Sequence, residues 1–345
     1  MNEEFPLDPA IVERFAGRIL RIRRAAQFRS FWLGVQLAHR PKTSDTPEQE
    51  AARRAFNQRV GLRVLELAPD LKATPVEPEA SFTLHLPSGK VGVHLAPLLL
   101  YGRYLKYSRK LPQSKWPCRR HLGPDCPKCG GTGKLYPSSV EEMFAAAVVE
   151  QTGGRGTKLH SVGREDVDAR MLGTGRPFIL EVARPLRRTA DVERIERRIA
   201  ERHGEDVRAC GLRIVDKAAL EALNAAQPDK TYRALCQAAA PLPPGALDAL
   251  EALGGALLAQ RTPERVLHRR RNMVRRRRLR KVKATPSDAP DRFVLEIEAQ
   301  SGTYIKEFVS SDNGRTKPSA SDLLGGRCKC LELDVLDVGW ELEQP

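Results

Sequence analysis

The run Gly163-Arg164-Glu165-Asp166-Val167-Asp168 sets three carboxylates around one arginine in a glycine-punctuated stretch. Carboxylates serve as nucleophiles, general bases or metal ligands, and acids in turns also cap backbone N–H groups. Composition leaves a metal site and a capping element both open, and spacing does not settle which acid matters. A second group is more specific. Cys118-x2-His121-x4-Cys126-x2-Cys129 presents two ligand pairs, each close enough to bind one ion from a tight turn. Three thiolates and one imidazole make a tetrahedral zinc site, and Gly123, Gly130, Gly131 and Gly133 let the backbone fold back between the pairs. All four corners would be filled, so a structural ion is expected rather than a catalytic one.

Charge supplies the third signal. The chain has 345 residues, with 58 Lys and Arg against 43 Asp and Glu, a net charge of +15. Of this surplus, +11 falls between Arg261 and Lys283, where twelve cations meet one acid, Glu264. Such a run repels itself unless an anion neutralises it, and nucleic-acid backbones are the common solution. Val266, Leu267, Met273, Val274, Leu279 and Val282 are interleaved, which favours a folded basic element over a disordered tail or localisation signal. Arg275, Arg276, Arg277 and Arg278 are its densest part and the expected phosphate contacts, with affinity falling steeply in salt.

The wider composition narrows the class. Hydrophobic residues at 41% suit a globular chain. The longest apolar run, Met143 to Val149, is far short of the roughly 18 residues that a membrane span needs. The opening MNEEFPLDPA lacks a secretory pattern, so neither secretion nor membrane insertion is expected. Cys210, Cys236, Cys328 and Cys330 complete seven cysteines that read as reduced thiols and metal ligands in a cytoplasmic protein.

Periodicity then indicates the elements that must position these groups. Ile11, Val12, Phe15, Ile19, Leu20 and Ile22 lie on one face of a helix over 9–27. Residues 30–38 read as a buried strand, 40–47 as a polar linker, about 47–58 as a helix, and 81–95 as a hairpin turning at PSGK. The following GRYLKYSRKLPQSKW mixes cations with Tyr101, Tyr104, Tyr107 and Trp116, which suits either base stacking or ordinary core and surface. Beyond about 158 strand-like and helix-like segments alternate. They include an amphipathic helix over 190–203, approximately helical character over about 247–263 weakened by Gly254 and Gly255, and a terminal strand from Cys328. No Rossmann or P-loop glycine signature is present. The fold class is α+β, with an α/β N-terminal module and a mixed-sheet body.

The block HSVGREDVDARMLGTGRPF, together with KTYRA, QRTPERVLHRR, SGTYIKEFVS, GRTKPS and CLELDVLDV, resembles the archaeal and eukaryotic tRNA pseudouridine synthases of family ten. YGRYLKYSRKLPQSKWPC and CPKCGGTGK resemble that family's N-terminal half. The resemblance implies a THUMP-containing RNA-binding accessory domain over 1–115, a zinc-binding segment over 116–135 and a catalytic domain over 136–345. It also implies isomerisation of uridine 55, and with it uridine 54, in the tRNA T arm. The target base must leave the stack. Asp166 matches the required aspartate, with Asp168 as competitor. Tyr232 matches the tyrosine that stacks on the uracil and assists removal of its C5 proton. Lys306 matches the basic partner of the aspartate. Tyr304 shapes the pocket, and Leu323 or Leu324 forms the apolar wall beneath the base. Arg164 joins the substrate contacts. The expected partner is the tRNA elbow, with no membrane and no obligate protein partner. The family's zinc site commonly has a second cysteine where this chain has His121.

Overall fold

The computed structural model describes residues 8–37, 46–86, 88–268 and 270–343, and the chain divides into two compact units. The first unit comprises 1–99 with 145–158 and 181–191. It contains α1 (Pro9–Ala25), β1 (Ser30–Leu37), α2 (Pro47–Leu67), β2 (Lys72–Ala73), β3 (Ala80–Leu86) and β4 (Val91–Leu95). Asp8 caps α1 by accepting from the Ala10 N–H. Thr46 and Gln49 form a reciprocal capping box ahead of α2. That start is where the sequence places it, but the helix runs nine residues beyond the expected end at 58 and carries Val60 and Val64 into the core.

The sheet order is β2-β1-β3-β4, with β1 parallel to β3 and the β3–β4 hairpin antiparallel. A parallel pair needs a crossover, and α2 supplies it. Phe15 meets Phe56 edge-on at 5.9 Å, and Phe28 meets Phe82 at 5.5 Å. Fully burying such a side chain contributes roughly 1.5–3 kcal/mol. The expected linker over 40–47 lies, except for its last two residues, outside the described residues, as does Pro87 of the hairpin turn.

The second unit comprises 100–144, 159–180 and 192–345. In chain order the elements continue with β5 (Leu98–Lys106), α3 (Val140–Thr152), β6 (Gly156–Ser161) and β7 (Arg170–Ala183), of which 98–99, 145–158 and 181–183 belong to the first unit, then α4 (Val192–His203), β8 (Val207–Val215) and α5 (Lys217–Ala225). They continue through β9 (Lys230–Ala238), α6 (Ala246–Glu251), β10 (Leu257–Arg261), β11 (Val274–Pro286), β12 (Arg292–Ala299), α7 (Ile305–Ser310), β13 (Thr316–Lys317), α8 (Ala320–Leu323) and β14 (Cys328–Val338). Ten strands form one mixed sheet, ordered β13-β10-β11-β12-β9-β14-β7-β5-β8, with β6 paired to β7. Phe293, Leu295, Ile297, Phe308 and Val309, all fully buried, anchor its core.

Two readings of the sequence give way here. Residues 247–263 are not one helix: α6 stops at Glu251, Gly254 and Gly255 break it, and Leu257 to Arg261 form a strand paired with Arg278 to Val274. Sheet pairing overrides the local Leu/Ala preference for helix. Tyr101 and Tyr104, candidates for stacking bases, are instead core residues.

Candidate active site

The loop joining β6 to β7 separates its acids by direction. Glu165 turns inward, accepting from Arg176 Nε at 2.8 Å and from the Tyr104 hydroxyl at 2.9 Å on both oxygens. The Glu165 and Arg176 side chains are each only 1% exposed, so this is a buried ion pair. Burial pulls the Arg176 guanidinium down, but the Glu165 charge and hydrogen bond together with the Tyr104 and Tyr232 hydroxyls raise it on balance. Gln113 donates to Tyr104 at 2.8 Å and to the Gly163 carbonyl at 3.3 Å. Gly163 has φ +79°, and a Cβ there would come within 3.2 Å of Arg176 Nη1 and Lys230 Cε. The turn therefore requires glycine twice over.

Two cations from the chain after β5 hold the loop by its backbone. The fully buried Lys106 ammonium donates to the carbonyls of Leu111 at 2.9 Å, Asp166 at 3.3 Å and Val167 at 2.9 Å. Arg109 Nη1 donates to the Asp168 carbonyl at 3.0 Å, while its Nη2 pairs with Asp334 at 2.7 Å and Glu332 at 2.6 Å. Three consecutive carbonyls, 166 to 168, are thus tied down. Burial pushes the Lys106 ammonium down to about 8. The sequence marks both residues only as cations in an aromatic stretch.

Asp166 and Asp168 turn outward and meet two more cations. Lys306, in the first turn of α7, hydrogen-bonds both Asp168 oxygens at 2.7 Å and lies 3.6 Å from Asp166 Oδ2. Burial works against it, yet the Lys306 hydrogen bonds and charge hold the Asp168 carboxyl below its ordinary value. Asp166 has a nearer partner absent from the sequence-based list: Arg265 Nη1, at 3.1 Å from Oδ1 and 3.0 Å from Oδ2. Arg265 Nε pairs in turn with the buried Glu307 at 2.6 Å. Helical periodicity does not reveal this triad, because Arg265 sits in a short 3-10 turn (Glu264–Val266) far along the chain. Gln260, buried on β10, holds Tyr304 from both sides, accepting from its N–H and donating to its carbonyl, each at 2.9 Å. That clamp fixes where α7 begins, and so where Lys306 points.

Tyr232 is a strand residue on β9, opposite Ile297 of β12 and Val335 of β14. Burial pushes its phenol up to about 12, with the Arg176 charge acting the other way, so it stays protonated through the neutral range. Tyr304 is half-buried at the head of α7. Leu324 packs against the core, whereas Leu323 is 42% exposed. Arg164 is exposed and lies 5.3 Å from the centroid of the Trp116 ring.

The basic run is a folded strand. On β11, Arg275 and Arg277 are half-buried and Arg276 and Arg278 exposed, the alternation of a pleated strand; Arg269 lies outside the described residues. Arg275 donates to the Thr262 hydroxyl and Arg278 to the Gly255 carbonyl. Among the described residues, none of the four has a carboxylate partner.

Cys118, Cys126 and Cys129 bring their sulfurs within 4.8 Å of one another. Cys118 Sγ and Cys126 Sγ are 3.9 Å apart, close to the roughly 3.8 Å edge of a tetrahedron with zinc–sulfur bonds of about 2.3 Å. His121 stands at the edge of the set, with Nδ1 3.3 Å from Cys129 Sγ. Backbone hydrogen bonds from Leu122 and Lys128 lower the Cys126 thiol to about 6, which favours a thiolate ligand. The donor set therefore fits a metal ion. Among the described residues, no helix is long and apolar enough to cross a membrane.

Residues 99–339 match the family model described as "Pus10, C-terminal". A protein of Methanopyrus kandleri named tRNA pseudouridine synthase Pus10 is 37% identical over 340 residues, spanning 94% of this chain and 78% of that protein. The protein of the same name in Archaeoglobus fulgidus is 38% identical over 337 residues, 95% of this chain and 92% of its own. That of Methanocaldococcus jannaschii is 42% identical over 253 residues, 72% of this chain and 54% of its own. Among solved structures, a Cbf5–Nop10–Gar1 complex overlays with a TM-score of 0.37 at 14% identity and 69% of this chain. At that distance no residue correspondence is drawn.

Proposed function

Since the chain belongs to the Pus10 family of tRNA pseudouridine synthases, we propose that it converts uridine 55, and with it uridine 54, of the tRNA T arm to pseudouridine, with Asp166 acting on a flipped-out uridine. The family match over 99–339 carries this reading, because it spans the Asp166 loop and every side chain that surrounds it. The reaction is an isomerisation: the N1–C1′ bond breaks, the uracil turns, C5 bonds to C1′, C5 loses its proton and N1 gains one. No electrons enter or leave, so no organic cofactor is required.

Each residue has a task that its placement suits. Asp166, on a loop whose backbone is fixed by Lys106 and Arg109, acts as nucleophile or base towards the sugar. Lys306 and Arg265 supply the facing positive charge. Tyr232 stacks on the turned uracil, its hydroxyl close to C5. Tyr304 shapes the pocket, and Leu323 or Leu324 closes it from below. Arg164 and Arg275 to Arg278 contact phosphates, which position the RNA without reading its sequence. Residues 1–115 serve as the THUMP-containing accessory domain. Cys118, Cys126, Cys129 and His121 hold a zinc ion, which supplies fold stability to a loop too short for a core of its own. The partner is the tRNA elbow. The setting is the cytoplasm, with no membrane and no obligate protein partner.

The test is incubation with an unmodified tRNA transcript and mapping of pseudouridine at single-nucleotide resolution. Signal at 55, or at 54 and 55, that disappears with Asp166→Asn supports the reading. Salt-sensitive binding without any new nucleoside would leave an RNA-binding protein and end it.

A further inference from the structure

Three cysteines lie outside the metal-type cluster on two neighbouring strands, Cys236 on β9 and Cys328 and Cys330 on β14. The strands are antiparallel, and their register sets Cys330 directly opposite Cys236, with a bulge immediately after, between Cys330 and Glu332. Residues directly opposed in an antiparallel pair share a face, with Cα atoms about 4.5–5.5 Å apart. That separation falls within the roughly 4.4–6.8 Å that a disulfide accepts. Cys328, by contrast, lies opposite Ala238. We propose that Cys236 and Cys330 form a redox-active thiol pair, a modification site that closes to a disulfide beside Lys306 when a low-molecular-weight disulfide is the oxidant.

The two thiols differ as an attacking and a resolving cysteine should. Cys330 is half-buried and reachable, whereas Cys236 is fully buried. The neighbouring Cys236 thiol lowers the Cys330 thiol and the Lys306 charge adds to this, against burial and the charges of Asp168 and Glu307, while the same neighbour together with burial raises Cys236 well above its ordinary value. A thiolate stabilised next to a cation is the reactive kind. In the first step the Cys330 thiolate attacks one sulfur of oxidised glutathione. The glutathione S–S bond breaks, a mixed disulfide forms and one glutathione thiolate leaves. Cys236 then loses its proton to solvent and attacks the Cys330 sulfur, expelling the second glutathione thiolate. Two protein thiols are oxidised by two electrons, and one glutathione disulfide is reduced to two thiols.

The pair sits under the site. Helix α7, which carries Lys306 and Glu307, packs on β14, and β9 carries Tyr232. Oxidation removes the Cys330 thiol from beside Lys306 and ties the two strands together, so turnover is expected to fall several-fold.

The experiment equilibrates the zinc-loaded full chain in glutathione buffers from reducing to oxidising, blocks free thiols and maps linked peptides by mass spectrometry. A reversible peptide link between Cys236 and Cys330 is expected, absent in Cys330→Ser. In Cys236→Ala a glutathione adduct should instead persist on Cys330. Links confined to other cysteines, a stable glutathione adduct on wild-type Cys330, or both thiols unmodified throughout would overturn the pair. The turnover arm rests on the tRNA-modifying function, and the peptide link does not, so the two fail separately. A link that forms without altering turnover overturns the coupling to Lys306.

Discussion

In the loop around Asp166 every acid meets a cation of the same chain: Glu165 meets Arg176, Asp166 meets Arg265 and Asp168 meets Lys306. On β11 the arginines from Arg275 to Arg278 meet a hydroxyl and backbone carbonyls, and no carboxylate among the described residues. The neighbouring Arg280 does find one, Asp229, at 2.6 Å, so acids are not lacking nearby. A charge neutralised within the protein is set up to orient groups. A charge left without a counter-ion requires one from outside, and polyanions provide many at once. On the proposed function, the two regions divide chemistry from capture.

Within the loop the largest contrast is between adjacent acids. Asp166→Asn is expected to lower single-turnover rate by roughly four orders of magnitude or more, as loss of a reacting group does. Thermal stability and tRNA affinity should hardly move, since Asp166 is outward-facing. Glu165→Gln removes half of a buried ion pair and should cost about 3–5 kcal/mol of stability. Calorimetry or denaturant melts on both variants check this. Equal loss of stability in the two would erase the distinction drawn between inward and outward acids.

On the strand, replacing Arg275 to Arg278 by Gln should leave the fold intact and weaken tRNA binding. If each arginine neutralises one phosphate, the slope of log affinity against log salt should shrink by about three. Binding isotherms across a salt series measure it. An unchanged slope would place the RNA on another face and break the division between regions.

How far the residue pattern alone could reach depended on range. Short motifs announced themselves: Cys118 to Cys129 as a thiol cluster, GRED as the acidic loop, the arginine run as a folded basic element. Elements with clean periodicity, such as α1 and the β3–β4 hairpin, followed directly. What stayed hidden joins distant positions. Arg265 reaches Asp166 across 99 residues, Lys106 reaches the loop carbonyls across 60, and Arg109 reaches Asp334 across 225. Leu257 to Arg261 look helical until a strand partner supplies hydrogen bonds from outside the window. Tertiary pairing carries those facts, and local spacing does not encode it.

The smallest effect tests the backbone clamp. An ammonium has three N–H donors, and Lys106 spends all three on the carbonyls of Leu111, Asp166 and Val167. Burial lowers its pKa from 10.5 to about 8. Above that pH the neutral amine keeps two donors and turns a lone pair towards three acceptors, so the Asp166 loop loosens and turnover should decline several-fold as pH rises through about 8. Stability should move the other way. Between about 8 and 10.5 the unfolded chain holds a proton on Lys106 that the folded chain lacks, and stability rises with pH wherever the unfolded state binds more protons. Lys230, also lowered to about 8 by burial, adds to the same slope. Lys106→Met should therefore flatten part of the stability slope, remove the alkaline decline in turnover and lower the plateau by about tenfold through misplacement of the carboxylate. Rate and melting profiles from pH 6 to pH 10.5 on the two proteins decide it. An alkaline limb that survives in Lys106→Met would mean that the loop holds its place without the clamp, and that the region's rigidity comes from the Glu165–Arg176 pair beneath it.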